Sequence, residues 1–489
     1  MLPNVKVNVT EDVSVNVNSL NTFIPLVILK TKTGPIGTEL FVATERVFND
    51  VFGKPDNDTP EAFGLVQYIK NYGGAYVVRA ASSSATEGEA TIKVGEGSSA
   101  VELISIKTVY KTDALNGTDV KLIQDTTNNK LYLSAVLENK TVTSIKETLN
   151  YTTATADLIE AALNKVVASF NEAQNKLVLE NLFTDKTEED TKPAAFTELT
   201  GTVTGGISGN TSIDDNVVTA IAEKFRGSDL GFDAIVAPGF ESATVVNKLA
   251  SVAADSSFIA IASISGESAS AIAAVASTYT ANASLALYAD KVYLLENTTI
   301  QVPACIAVLP AYITRDESSK WLAPAGVTRG TLSLVAGLVH NFGDSDLEDL
   351  YTNNIPVNGI KRISGRGYVV WGQKTASQDT VDYQDRINVV RLVKYCTKEI
   401  DRISYDYLFE PITSYTFNAW TLRVESLLEE IKNGSGLDDY RVIMDETINT
   451  EETIRQNKLI GIVRVRPLEA AEFIEINFVI TDDVEGGNA

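Results

Sequence analysis

Two segments near the ends of the chain alternate apolar and polar residues with period two. At the start, Val5, Val7 and Val9 alternate with Lys6, Asn8 and Thr10, and Val13, Val15 and Val17 with Ser14, Asn16 and Asn18. Near the end, KLIGIVRVR sets Ile460, Ile462, Arg464 and Arg466 on one side. In EFIEINFVIT, Ile474, Ile476, Phe478 and Ile480 share a side opposite Glu475 and Asn477. This spacing, rich in β-branched residues, predicts strands. The first segment reads as two short strands parted at Glu11–Asp12. It is either an edge hairpin of its own domain or an arm that adds a strand to a neighbouring subunit. About twenty extended residues span up to ~70 Å, enough to leave that domain.

Between these ends the pattern changes four times. Residues 23–80 read as strand (FIPLVILKT), turn (GPIG), short helix (TERVFNDVFGKP), second helix with an early proline and a stop at Gly73 (TPEAFGLVQYIKNYGG), and strand (AYVVRA). Residues 81 to about 206 open with SSSATEGEA and close with TGTVTGGISGNTS, both linker-like. They enclose short Thr- and Val-rich strands and one helix near TADLIEAALNKVVASF, as a module inserted into a host would. From 213 to 320, the apolar runs FDAIVAPG, SFIAIASI and SLALYAD alternate with the alanine-rich helices ESATVVNKLASVAA and SASAIAAVASTY. Buried strands alternating with helices imply a parallel sheet with right-handed crossovers. Two further helices follow, one from about Asp385 to Tyr407 and one over SYTFNAWTLRVESLLEEIKNG.

Composition narrows the function. The 489 residues suit about three domains. With 41 Lys plus Arg against 64 Asp plus Glu, the net charge of −23 argues against nucleic-acid binding. Neither a signal peptide nor an apolar run of membrane-spanning length is visible, so a soluble protein made in a cytoplasm is expected. The two cysteines, Cys305 and Cys396, read as buried thiols of a reduced compartment, with a disulfide as the alternative. The single histidine, His340, lies in GLVHNFGD and reads as structural or surface. One histidine, no GxSxG and no HExxH leave little room for hydrolytic chemistry. No metal-ligand cluster or glycine fingerprint is present; no cofactor is expected.

One segment invites a nucleotide reading. Gly367-Tyr-Val-Val-Trp-Gly372-Gln373-Lys374-Thr375 is one inserted glutamine away from GxxxxGKS/T. A phosphate loop needs small residues so that successive N–H groups converge. Tyr368, Val369, Val370 and Trp371 instead extend the chain, Gln373 displaces the lysine, and no helix-forming run follows. GYVVWG is expected to be a strand.

On the helix from Asp385, Val389, Leu392, Val393, Cys396, Ile400, Ile403 and Tyr407 fall within an arc of about 100°. Arg391, Lys394, Lys398 and Arg402 fall within about 80° on the other side. On so acidic a chain this basic stripe reads either as a solvated face or as a binding face.

VPACIAVLPAYITRDESSKWLAPAGVTRG, then YTNNIPVNGIKRISGRGYVVWGQKTAS and RINVVRLVKYCTKEI, together resemble the contractile-tail sheath proteins of myoviruses. The matching marks are a Pro-rich strand leading to Arg315–Asp316, Trp321 to Gly326, and Trp371 to Thr375. LFEPIT, PLEAAEFIEINF and, near the start, GPIGTELFVATERVFNDVFGKP and IKNYGGAYVVRA agree as well. The resemblance leaves out about 80–206, where such proteins carry variable insertions.

It implies a structural subunit and no enzyme: hexameric rings stacked helically around a tail tube, contracting to drive the tube through the host envelope. The implied fold is α/β and α+β multidomain, with a central parallel α/β domain of subtilisin-like topology without an active site. The divisions are an N-terminal β arm (1–22), the N-terminal part of the sheath core (23–85), an inserted β-rich surface domain (86–206), the central α/β domain (207–330), a C-terminal α+β domain (331–480) and an acidic tail (481–489). Arms carrying Val5–Val17 and Ile474–Ile480 would exchange strands between subunits, and Arg391, Lys394, Lys398 and Arg402 would face the tube. Implied partners are further copies of the chain, the tube protein, and baseplate and terminator proteins. The implied location is the virion tail, assembled in the host cytoplasm. A phage-tail-like bacteriocin or injection particle stays open as an alternative. So, from another class, does an α/β hydrolase or nucleotide-binding enzyme, which would need a titratable cluster at the strand ends.

Overall fold

The computed structural model describes residues 23–97, 100–137, 139–228, 230–313, 320–377 and 383–472. The chain divides into two compact units, Met1–Arg315 with Pro324–Ile387, and Asp316–Ala323 with Asn388–Ala489.

In the first unit the chain runs through β1 (Pro25–Leu29), β2 (Glu39–Val42), α1 (Glu45–Phe52), α2 (Pro60–Tyr72) and β3 (Ala75–Arg79) before entering the insertion. The insertion contains β4 (Glu89–Val94), β5 (Val101–Thr108), β6 (Asp119–Asp125), β7 (Lys130–Leu137), β8 (Lys140–Thr143), β9 (Glu147–Thr148), α3 (Ala156–Ala173), β10 (Leu177–Asn181) and β11 (Glu198–Thr202). The chain then returns through α4 (Asp215–Glu223), β12 (Ala234–Val236), α5 (Ala243–Ala254), β13 (Ile259–Ile264), α6 (Ala269–Ala276) and β14 (Leu285–Ala289).

These strands form a six-stranded sheet in the order β14-β13-β12-β1-β3-β2. It is parallel except for β2, which runs antiparallel to β3 at the edge. Every residue of β1, β12, β13 and β14 is buried, which is why these strands read as unbroken apolar runs. Alternate side chains serve opposite faces. Val27, Leu29, Val236, Ile261 and Tyr288 pack with α1 and α2. Leu26, Ile28, Ile235, Ala260 and Leu287 pack with α4, α5 and α6. The helices start where side chains cap them: Thr44 accepts from Val47 N, Asp214 from Asn216 N and Ser242 from Val245 N.

The edge strand β2 escapes the sequence reading, which passed from turn to helix. It is only four residues long and one of them is buried, so it carries no usable alternation.

The insertion has its own core. Ile92, Ile104, Leu122, Leu133, Leu163, Val166, Phe170 and Val203 belong to one apolar cluster drawn from 92–203. Its strands form two sheets, β10-β5-β4 and β11-β6-β7-β8 with β9 beside β7. The insertion is rooted on Arg79, a fully buried side chain at the end of β3. Its Nη1 donates to Gly34 O (3.0 Å) and Lys111 O (2.7 Å), and its Nη2 to Ser208 O (2.6 Å). Core loop, insertion and return linker thus share one guanidinium. Thr112 Oγ1, donating to Lys32 O (2.8 Å), adds a second tie.

After the sheet come β15 (Lys291–Leu294), β16 (Asn297–Pro303), α7 (Ala304–Ala307), α8 (Gly326–Arg329), β17 (Val335–Leu338), α9 (Asp344–Thr352), β18 (Gly359–Ile363) and β19 (Gly367–Trp371). Here the Pro-rich strand expected over VPACIAVLP is corrected. The strand ends at Pro303, and Ala304–Ala307 is a helical turn followed by a 3₁₀ turn over Leu309–Tyr312. The segment is buried almost throughout, and a buried helical turn and a buried strand give the same apolar run. Gly64 of α2 is needed beside it, because a Cβ there would lie 2.4 Å from Val302 Cγ1.

The second unit consists of α10 (Ile387–Tyr405, whose first residue lies in the first unit), α11 (Ser414–Asn433), β20 (Leu437–Ile443), α12 (Glu451–Arg455) and β21 (Ile462–Pro467). Its core joins Leu392 and Cys396 of α10 to Phe417, Trp420, Val424, Leu428 and Ile431 of α11, with Trp321. β20 and β21 pair antiparallel. The whole is a mixed α/β, multi-sheet architecture of the class expected. Among the described residues, no helix is long and apolar enough to cross a membrane.

Candidate functional site

In parallel α/β sheets the carboxyl ends of the strands are where ligands sit. Polar side chains do gather there, each held by a neighbour or buried. Ser265, following β13, donates to Glu241 through its backbone N (2.9 Å) and its Oγ (2.7 Å). Ser263 Oγ lies 3.3 Å from Cys305 Sγ. Burial pushes the Cys305 thiol up to about 12, so it stays protonated. Asp290 follows β14 in a left-handed conformation (φ 65°) and is buried. Its Oδ2 meets His340 Nδ1 at 2.7 Å and accepts from His340 N at 3.1 Å.

Among the described residues, His340 hydrogen-bonds Asp290 and nothing else, so no hydroxyl or thiol stands beside it as a nucleophile. Glu61, the second residue of α2, is buried, and its Oε2 accepts no hydrogen bond. Desolvation holds its carboxyl above the ordinary range, against the pull of Lys30 and Lys291. Gly239 is required opposite it: its φ is 79°, and a Cβ would come within 2.3 Å of Glu61 Oε1.

The Gly367–Thr375 segment is not a phosphate cradle. Gly367–Trp371 is β19, paired antiparallel with β18, which matches the strand expected of GYVVWG. The residues after it are stitched to the sheet by Asn358, which is wholly buried. Its Nδ2 donates to Leu287 O (3.0 Å) and Lys374 O (2.8 Å), while its Oδ1 accepts from Lys374 N (2.8 Å). Lys374 Nζ donates to Tyr351 O (3.1 Å) and lies 4.5 Å from the Tyr351 ring centroid. The lysine that mimics a phosphate ligand is a structural clasp.

In the second unit, Leu392, Cys396, Ile400, Ile403 and Tyr407 do face the core. Val393, placed on that face by the sequence reading, is instead exposed. It sits at the margin of the arc, where one residue of rotation decides. Burial pushes the Cys396 thiol up to about 12, and both cysteines are free thiols. Of the basic stripe, Arg391, Lys394 and Lys398 are half-buried, with Arg391 Nη1 itself buried, whereas Arg402 is exposed and paired with Glu399 at 2.8 Å.

Val5, Val7, Val9, Val13, Val15 and Val17, and Ile474, Ile476, Phe478 and Ile480, lie outside the described residues. Sequence reasoning missed the turn between α10 and α11, where Tyr405, Leu408, Phe409 and Tyr415 are all exposed. The run YDYLFEP between two helices was the available signal. Among the described residues, no group of three or more His, Cys, Asp or Glu could hold a metal ion.

No protein-family model matches the chain. Over 185 residues it is 33% identical to the tail sheath protein of Vibrio phage KVP40, covering 38% of this chain and 27% of that protein. Over 208 residues it is 33% identical to the tail sheath protein of Enterobacteria phage T4, covering 42% of this chain and 31% of that one. The matched stretch therefore spans about a third or less of these relatives. Among solved structures, the sheath tail protein of Desulfitobacterium hafniense aligns with a TM-score of 0.57 over 92% of this chain and 97% of that one, at 8% identity. The helical sheath of the anti-feeding prophage in its contracted state aligns with a TM-score of 0.56 over 99% of this chain and 100% of that one, at 16% identity. These likenesses establish the fold, and the phage proteins the kinship. Over about two-fifths of its length the chain is thus similar in sequence to phage tail sheath proteins, and over nearly all of it similar in fold to sheath tail proteins.

Proposed function

We propose that the chain is the structural subunit of a contractile phage tail sheath. Copies form hexameric rings, polymerise helically around a tail tube and contract to drive it through the host envelope. The observation that carries this reading is sequence kinship with phage tail sheath proteins, joined to a sheath-like fold over nine-tenths of the chain. The carboxyl edge of the sheet supports it from the other side, because Ser263 lies against Cys305, Ser265 donates to Glu241 and His340 is bonded to Asp290.

In this reading the central sheet is a subtilisin-like scaffold without an active site, and residues 86–206 form a surface domain set into it. Residues 1–22 and the strand over Ile474–Ile480 are arms that complete sheets of neighbouring subunits. Arg391, Lys394, Lys398 and Arg402 face the tube. Screened charge contacts of this kind suit a grip that must let go on contraction. The subunit belongs to the virion tail after assembly in the host cytoplasm, with baseplate and terminator proteins at its ends.

Deleting residues 1–18 tests the reading. The truncated chain should remain folded and soluble but form no tubes in negative-stain images. Normal tubes from that chain would remove the arms from the account.

A further inference from the structure

The turn between α10 and α11 displays aromatic side chains in a way that chain reversal does not require. Among the described residues, the three most exposed aromatic side chains are Phe409 (104%), Tyr415 (80%) and Tyr405 (63%), and Leu408 lies beside them at 57%. Packing explains why they are left out. The inward faces of α10 and α11 are taken by Leu392, Cys396, Ile400, Ile403 and Tyr407 against Phe417, Trp420 and Val424. Thr413 caps α11, accepting from Thr416 N at 3.3 Å, which fixes the turn just ahead of it. Phe409 adopts φ 68°. A turn serving only to reverse the chain would place glycine or asparagine there. Exposed aromatic side chains on a fixed turn are the type of group that anchors protein interfaces.

The surroundings of this tip define what would cover it. Asp401, Asp406 and Glu410 are exposed around it. Asp406 meets Arg423 at 2.6 Å, whereas Asp401 and Glu410 have no ion-pair partner among the described residues. The complementary chemistry is a guanidinium, which pairs with carboxylates and stacks on aromatic faces. Such a surface exists on the same chain. The β18–β19 hairpin exposes Arg362 and Arg366 at its free end, and neither has an ion-pair partner among the described residues. Around its turn, Gly365 (φ 74°) and Gly367 (φ 81°) have open space where a Cβ would stand, so the tip is clear for approach. On a chain of net charge −23, two exposed guanidiniums with no carboxylate partner among the described residues offer half of a contact.

We infer that the aromatic, acidic α10–α11 tip of one copy docks on the arginine-bearing β18–β19 hairpin of a second copy. Each copy carries both halves, so the contact is heterologous and propagates along a polymer. This inference rests on the proposed role as a self-assembling subunit, and names a contact that the terminal arms do not supply.

Two charge-reversed variants test it, Asp401→Arg with Glu410→Arg, and Arg362→Glu with Arg366→Glu. Each alone should keep the wild-type Tm and raise the concentration needed for polymer, read by sedimentation and imaging, by about tenfold or more. A 1:1 mixture should polymerise near the wild-type concentration, because each reversed tip then meets a reversed hairpin on the other variant. Rescue by mixing requires that the two tips belong to different copies. Phe409→Ala should weaken polymerisation in the same direction with unchanged folding.

Polymerisation of either variant at the wild-type concentration overturns the contact while leaving the sheath reading in place. So does a mixture of two well-folded variants that stays monomeric. A wild-type chain that forms no polymer under any condition overturns the sheath reading itself.

Discussion

At the carboxyl ends of the parallel strands, polar side chains are buried or half-buried and engaged with neighbours. Arg79 is held by three carbonyls, Asp290 by His340, and Glu241 by Ser265. On α10 and the turn after it the arrangement is reversed. Arg402, Asp401, Glu410 and three aromatic rings face outward, while the apolar side of the helix is used up in the core. In the first region most of these groups hold one another, with Glu61 Oε2 as the buried exception. In the second, Arg402 is paired with Glu399, while Asp401, Glu410 and the exposed rings are left toward solvent. Changes in the first should therefore move stability, and changes in the second should move assembly.

The largest effect belongs to the outward region. Lys394→Glu with Lys398→Glu should prevent the chain from co-assembling around its tube. Thermal unfolding should stay within about 0.5 kcal/mol of wild type, as befits partly solvated side chains. Normal co-assembly at physiological salt would return the stripe to an ordinary solvated face.

Next in size is Arg79→Ala, which strands the carbonyls of Gly34, Lys111 and Ser208. A loss of about 3 kcal/mol is expected by denaturant titration, with faster amide exchange in the loops around Lys111 and Ser208. Unchanged exchange there would show that the insertion does not depend on this clasp.

Glu61→Gln should act in the opposite direction. Burial holds the folded-state pKa of Glu61 above its unfolded value, so the folded chain takes up this proton first as pH falls. The cost of the buried carboxylate is present at neutral pH. It is relieved as pH falls through the folded value, and nothing more is gained below the ordinary carboxylate pKa. Glutamine should thus raise Tm by about 2 °C at pH 7 and flatten its rise on mild acidification. A lowered Tm at pH 7 would contradict this.

Smallest is the thiol response. With both thiols pushed up to about 12, Cys305 and Cys396 should alkylate at least about a hundredfold more slowly in the native chain than in urea.

What the sequence made legible follows from the same physics. β1, β12, β13 and β14 could be read because total burial writes an unbroken apolar run. The core face of α10 could be read because its 3.6-residue period is sustained over five turns. The helical turn at Ala304–Ala307 could not, since burial on all sides erases the period that separates helix from strand. Arg79 and Asn358 were invisible for another reason. Their partners are backbone carbonyls brought close by the fold, and a carbonyl has no sequence signature. The exposed rings near Phe409 were passed over because apolar residues are read as core by default.

The central proposal is that this chain acts by assembling and that Lys374, at the edge of its sheet, is a structural clasp and not a nucleotide ligand. Negative-stain imaging of the purified full-length chain over rising concentration, alongside titration with nucleotide, tests it most directly. The account predicts rings or tubes of uniform diameter that thicken in number with concentration, and no saturable nucleotide binding with either Lys374 or Lys374→Ala. A chain that stays monomeric throughout and binds nucleotide at micromolar concentration, losing that binding on Lys374→Ala, would contradict it.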